Sequence, residues 1–189
     1  MKFDYIIIGA GSAGCVLSNR LSENQNNKVA VIEAGSPSDI WKVKMPLALL
    51  YTMHDPKYNW KYYSEPEPHL NNRRLFCPRG KMIGGCSAHN GMVFVRGNRN
   101  DYERWENFGL KSWSYEKILP YFKKIENWSG GENQYRGSFG LLPVNQSKNN
   151  NPLFKAFLGA VSESGHKINP DMNGEYQEGF GMFDTTIHN

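Results

Sequence analysis

The run Gly9-Ala10-Gly11-Ser12-Ala13-Gly14 decides the fold, through what stands on either side of it. Before it, Tyr5-Ile6-Ile7-Ile8 is a short, apolar, β-branched run, the composition of a strand buried on both faces. After it, residues 13–21 carry Val16, Leu17 and Leu21 at helical spacing. Lys28-Val29-Ala30-Val31-Ile32 reads as a second buried strand and ends on Glu33. Residues 3–33 thus predict strand, glycine turn, helix, strand and acid.

Each glycine has its own task. Gly9 allows the tight turn off the strand. Gly11 has no Cβ, so a pyrophosphate can approach the backbone, and Gly14 lets the helix pack close to the strands. Ser12 and Ala13 open the helix, whose N-terminus offers unpaired N–H groups and a positive dipole end to phosphates. Glu33 follows Gly14 at close to the ~20 residues expected for an acid that bonds a ribose hydroxyl. A lone G-x-G-x-x-G arises in many loops; here strand, helix and acid all supply the context that dinucleotide binding requires. An export signal is the competing reading, since Met1-Lys2 precedes an apolar stretch and Ser12-Ala13-Gly14-Cys15 resembles a lipoprotein box. Asp4 interrupts the first, Ser12 stands where the second wants an aliphatic residue, and neither explains Glu33.

At 189 residues, 39% hydrophobic and 13% aromatic, the composition is that of a globular chain, one domain or part of something larger. The net charge of +4 is mild. Arg73, Arg74, Arg79, Lys81, Arg96 and Arg99 form the densest basic stretch, but Asp101 and Glu103 follow and no nucleic-acid module is recognisable. A phosphate-bearing small cofactor explains that charge better than a nucleic-acid partner. The apolar run over residues 45–53 is too short to cross a bilayer. Cys15, Cys77 and Cys86 are odd in number without metal spacing, so reduced thiols, no metal site and a cytoplasmic setting are expected.

Beyond Ser36 the periodicity fades and prolines recur at Pro37, Pro46, Pro56, Pro66 and Pro68. Asn59-Trp60-Lys61-Tyr62-Tyr63 alternates as a short strand would. A connection of this kind over residues 36–72 either shapes a site or is a plain surface excursion. A second glycine-dense run follows, Arg79-Gly80-Lys81-Met82-Ile83-Gly84-Gly85-Cys86-Ser87-Ala88-His89-Asn90-Gly91-Met92-Val93, then Arg96-Gly97. Its glycines make backbone approach to a flat or anionic ligand easy.

This run resembles the flavin signature of the glucose–methanol–choline oxidoreductases. The resemblance extends through Asn59-Trp60-x-Tyr62, Glu65-Pro66, Asp101-Tyr102-x-x-Trp105, Leu119-Pro120-Tyr121-Phe122, Gly140-Leu141-Leu142-Pro143-Val144, Asp171-x-Asn173-Gly174 and Gly179-Phe180-Gly181, nearly the whole chain. It implies an α/β, FAD-binding Rossmann-type (doubly wound) domain, incomplete here, with the start of an α+β substrate domain. Residues 1–110 would be the N-terminal part of the FAD-binding domain and 111–189 the segment leading into the substrate domain. It also implies FAD as cofactor, a small-molecule alcohol as substrate, and Trp60, Gly84, Gly85, Cys86, His89, Asn90, Gly91 and Val93 beside the flavin. Cys86 and His89 depart from most members, and match a choline-oxidising subset whose His is bonded covalently to the flavin. His89 is either that tether or a polar neighbour of the ring. Family members are much longer, and no residue here matches their catalytic His pair or His–Asn pair; His54, His69, His166 and His188 carry no such motif. The expectation is therefore an FAD-dependent alcohol oxidoreductase represented by its N-terminal part, inactive alone, with the missing C-terminal part as its partner. A non-catalytic dinucleotide-binding module and an inert remnant remain the alternatives.

The last third is read coarsely. Asn100 is expected to cap a helix through Trp105, and Ser114 another that Pro120 should bend or end. The aromatics Trp105, Trp113, Tyr115, Tyr121 and Phe122 read as core, with a substrate cage as the alternative. Residues 129–140 read as a polar, Gly-rich loop. Asn151 and Pro152 open a helix closed by Gly165, with Leu153, Phe157, Ala160, Val161 and Ser164 on its buried face.

Overall fold

The computed structural model describes residues 2–187, so Met1 of the export-signal reading and His188 lie outside the described residues. The backbone forms two units, Met1–Met92 and Val93–Asn189.

The first unit begins with the strand-turn-helix-strand read from the sequence: β1 (Tyr5–Ile8), α1 (Ser12–Ser22) and β2 (Val29–Ile32). The strands are parallel, in register from Tyr5↔Val29 to Ile8↔Ile32. Burial on both faces is corrected. Only Ile7 of β1 is buried, Ile8 is 78% exposed, and Val16 and Leu17 of α1 are exposed. Successive strand side chains point to opposite faces, and α1 covers only the face that Ile7 occupies.

In the connection that follows, α2 (Trp41–Lys44) and α3 (Leu49–His54) are joined by a 3-10 turn at Pro46–Ala48. The sequence does not announce helices of this length, because four to six residues are too few to display a period. The strand expected over 59–63 contracts to β3 (Tyr62–Tyr63), antiparallel to β4 (Phe76–Cys77). Lys61 at φ +53° breaks the extended run, and buried Asn59 bridges to Gly80 instead.

The second unit contains β5 (Val93–Phe94), α4 (Arg99–Asn107), α5 (Tyr115–Ile125), β6 (Glu126–Trp128), β7 (Leu142–Val144), α6 (Pro152–Glu163) and β8 (Asp184–Thr185). β5 pairs antiparallel with β8, and β6 pairs parallel with β7, a second parallel pair that the sequence did not reveal. The cap of α4 is Asn98, not Asn100: its side chain accepts from Asn100 N, and Asp101 bonds back to Asn98 N in a capping box. α5 runs through Pro120 to Ile125. The proline removes one bond, to the carbonyl of Glu116, and Glu116 is exposed to water that can replace it. Ser114 takes the N-cap backbone position without a side-chain cap bond.

For α6, Asn151 Oδ1 accepts from Leu153 N at 2.9 Å, and Gly165 at φ +75° follows its end, as read. Its expected buried face is corrected: of the residues named, only Val161 is buried, and Leu153 is 79% exposed. The aromatic cluster divides. Tyr102 and Tyr115 are buried, whereas Trp105, Trp113 and Tyr121 are exposed; these three, with Tyr102 and Phe122, line an open apolar cavity of about 570 Å³.

A charge cluster forms the centre of this unit. Arg136 and Glu126, both fully buried, are joined at 3.2 Å, and Arg136 also donates to Asp171 at 2.5 Å and Asp184 at 2.7 Å. Arg96 Nη2 donates to Glu126, and Arg136 lies 4.1 Å over the Trp128 ring. Burial pushes the Arg96 guanidinium down in pKa, opposed by the Glu126 carboxylate. The stretch read as a polar loop therefore supplies a central residue, Arg136.

Candidate functional site

The site is built where the first glycine turn meets the second, both in the first unit. Gly9 leaves β1 at φ +94°, and its N donates to Ile32 O at 2.7 Å, so the turn is anchored to the end of β2. A Cβ at Gly14 would meet the carbonyl oxygen of Gly9 and approach Ile7 Cγ2 at 3.3 Å, which is why helix and turn close only over a glycine. Gly11 is different. Its φ of −78° suits any residue, and a Cβ there would meet nothing within 4 Å, so the space above it is open. That space lies at the N-terminus of the 11-residue α1, where Ser12, Ala13 and Gly14 carry the first N–H groups and no acidic side chain competes in the first turn.

Glu33 closes the turn from below. Its Oε2 accepts from Ala10 N at 2.7 Å and its Oε1 from Gly35 N at 2.8 Å. Each oxygen has a second acceptor direction for a sugar hydroxyl.

The second glycine run docks on the first. Gly84 N donates to Ala10 O at 2.7 Å, and the Ser12 and Ser87 hydroxyls are 2.6 Å apart. Gly84 and Gly85 take φ +89° and +54°, and a Cβ on Gly85 would stand 2.8 Å from Gly11 Cα. The 3-10 turn Gly85–Ala88 is held further by Gly80 N, which donates to Cys86 Sγ at 3.4 Å. His89 follows, 7% exposed, with a buried Nδ1 that has no hydrogen-bond partner. Burial pushes its imidazole below the usual pKa, so the ring is neutral near neutral pH. Asn90 and Gly91 are exposed, and Asn90 Oδ1 accepts from Met92 N at 2.8 Å.

Trp60 stacks on Tyr62 at 6.0 Å with Lys81 Nζ 4.8 Å over its ring. Val93 belongs to the second unit, exposed on β5 and paired with Thr185. The structure therefore gathers Gly9, Gly11, Ser12, Ala13, Gly14, Glu33, Gly84, Gly85 and Cys86 around one turn, with His89, Asn90 and Gly91 continuing from it. Sequence reasoning missed the two contacts that join the halves, Ala10 O with Gly84 N and Ser12 with Ser87. A hydroxyl at each of positions 12 and 87 was the available signal for the second; the backbone bond offered none.

An open helix N-terminus, a carboxylate at the strand end and a buried neutral imidazole suit a bound dinucleotide with a flat ring system. Among the described residues no cluster of His, Cys, Asp or Glu could hold a metal ion. Comparison with known families is decisive on kinship: the GMC oxidoreductase model matches residues 3–189. The chain belongs to the GMC oxidoreductase family. This GMC chain is 51% identical over 186 residues to an oxygen-dependent choline dehydrogenase from Sinorhizobium fredii, covering 98% of the chain and 34% of that relative. It is 45% identical over 195 residues to the mitochondrial choline dehydrogenase of Mus musculus, covering 99% and 33% respectively. Among solved structures, pyridoxine 4-oxidase from Mesorbium loti superposes with a TM-score of 0.92 at 30% identity, covering 99% of this chain and 37% of that one. A formate oxidase variant from Aspergillus oryzae, studied for the effect of its mutation on FAD modification, gives a TM-score of 0.88 at 26% identity, covering 98% and 34%. The chain spans about a third of the length of the curated relatives it matches. The α/β FAD-binding architecture expected from the sequence is that of the GMC fold. No helix among the described residues is long and apolar enough to cross a membrane.

Proposed function

We propose that this GMC chain is the flavin-holding part of an FAD-dependent oxidoreductase acting on the CH–OH group of choline or another primary alcohol. The observation that carries the reading is the docking of the two glycine turns, Gly84 N on Ala10 O at 2.7 Å, beside a buried His89 ring nitrogen with no partner. The α1 N-terminus, with Gly11, Ser12, Ala13 and Gly14, binds the pyrophosphate, and Glu33 binds the adenosine ribose. Gly84, Gly85, Cys86, His89, Asn90, Gly91 and Val93 lie along the flavin, with Trp60 nearby. Bound FAD supplies the acceptor for the alcohol hydride. His89 would carry the flavin covalently, a reading supported by the nucleophilicity of a neutral imidazole nitrogen and by an Nδ1 that is not engaged. Residues 1–110 serve flavin binding and 111–189 lead into the substrate domain. The remaining part of the same enzyme would be the chain's partner. Three free thiols, Cys15, Cys77 and Cys86, favour a cytoplasmic setting.

The test is turnover of choline and simple primary alcohols by the whole protein with an artificial electron acceptor. Acceptor reduction that depends on the alcohol is the expected result; none with choline or any primary alcohol overturns the substrate class. Acid precipitation then separates the two fates of the cofactor. Flavin mass on the peptide containing His89 supports the tether, and flavin wholly in the supernatant refutes it.

A further inference from the structure

The sequence contains two Asn-Gly pairs, Asn90-Gly91 and Asn173-Gly174, and they stand in opposite surroundings. Asn173 is 1% exposed and its side chain is tied at both ends. Its Oδ1 accepts from Arg96 N at 2.8 Å and its Nδ2 donates to Phe94 O at 3.1 Å. Asn90 and Gly91 are both exposed. A Cβ at Gly91 would meet nothing within 4 Å, so the space on that side of the residue is open. The bond from Met92 N to Asn90 Oδ1, 2.8 Å long, draws electron density from Asn90 Cγ.

We propose that Asn90 is a site of spontaneous deamidation, assisted by Gly91. The Gly91 backbone nitrogen gives its proton to solvent base and forms a bond to Asn90 Cγ. The bond from Cγ to the side-chain nitrogen breaks, and ammonia leaves with a proton taken back from solvent. The resulting five-membered succinimide is opened by one water at either carbonyl, leaving aspartate or isoaspartate at position 90. No atom is oxidised or reduced; one water is consumed and one ammonia released. The modification needs no ligand and does not depend on the flavin reading. Its consequence does rest on that reading. A new negative charge, and in isoaspartate a backbone one carbon longer, would sit directly after His89 and should weaken FAD binding.

The experiment incubates the purified protein without added cofactor at mildly alkaline pH and follows its tryptic peptides by mass spectrometry. Isoaspartate is detected with an isoaspartyl methyltransferase. The peptide of residues 82–96 should gain the mass of an amide-to-acid exchange and accept methyl groups. The Asn173 peptide should react about tenfold more slowly or less, because a buried, bonded amide reacts only through local opening. Gly91→Ala, which the open space accommodates, should keep the thermal midpoint and suppress the signal at position 90 by a similar factor. Asn90→Gln should abolish it. Equal rates at the two sites, no reaction at Asn90, or an undiminished rate in Gly91→Ala with an unchanged midpoint would overturn the proposal. A separate titration of the aged protein with FAD tests the consequence alone. Deamidated protein that binds FAD normally would refute that consequence and leave the modification standing.

Discussion

Replacing Glu33 by alanine removes two bonds at once. Its carboxylate accepts from Ala10 N at 2.7 Å and from Gly35 N at 2.8 Å, tying the glycine turn to the chain after β2. A hydrogen bond to a charged group contributes about 1.5–3 kcal/mol. Water reaches this half-buried site and can replace part of the loss, so Glu33→Ala should cost about 2–3 kcal/mol of stability, less than two full bonds. A carboxylate that also holds the ribose loses a further charge-assisted bond, and FAD affinity should fall at least tenfold at about 1.4 kcal/mol per decade. Glu33→Gln separates the roles. Its one amide oxygen can still serve one of the two N–H groups, so stability should recover in part while the charge-assisted ribose bond stays weakened. Urea unfolding gives the first quantity and fluorescence titration with FAD the second. Unchanged FAD affinity in both variants would refute the ribose assignment. Unchanged urea midpoints would refute the clamp.

Glu126→Ala should destabilise the protein by about 3–5 kcal/mol, because it leaves Arg96 and Arg136 buried without their shared carboxylate; a urea midpoint within error of wild type would contradict this. His89 has a lowered folded-state pKa, so the unfolded chain binds its proton first as pH falls. Its contribution is whole above the unfolded value of about 6.5 and is lost as pH drops below it, and stability measured at pH 8 and pH 5 should decline less in His89→Phe than in wild type. Gly14→Val should unfold or strongly destabilise the first unit, since its Cβ meets the Gly9 carbonyl; a thermal midpoint like wild type would show the turn can yield. Residues 1–189 expressed by themselves should turn over no alcohol, as they span 34% of a choline dehydrogenase relative's length; clear turnover above a Gly11→Trp control would contradict that.

The βαβ unit was legible because its signals are local. A β-branched run, three glycines at fixed offsets and an acid at a strand end each follow from short-range rules, whereas the register of β1 with β2 comes from the structure. The docking of Gly84 on Ala10 was not legible, since a backbone bond between distant residues leaves no trace in composition. The burial of Arg136 within the 129–140 loop was not legible for a related reason. A charged residue in a glycine-rich polar stretch reads as surface, and only the convergence of Glu126, Asp171 and Asp184 makes its burial tolerable. On α4 the cap moved two residues, because Asn98 and Asn100 have the same chemistry and only the backbone of Asn98 is extended. The resemblance to a family supplied what periodicity could not, the expectation that Cys86, His89 and Asn90 belong to one site.

On the proposed function, the open space above Gly11 receives the pyrophosphate of FAD. The φ of Gly11, −78°, suits any residue and a Cβ there would meet nothing within 4 Å, so a side chain can enter that space, and Gly11→Trp should fill it. Equilibrium titration of the two apoproteins with FAD is the most direct test. Saturable binding by wild type and a loss of about a hundredfold or more in Gly11→Trp, at an unchanged urea midpoint, are expected, since an indole in that space denies the phosphates their N–H partners. Equal FAD affinity in the two proteins would contradict it.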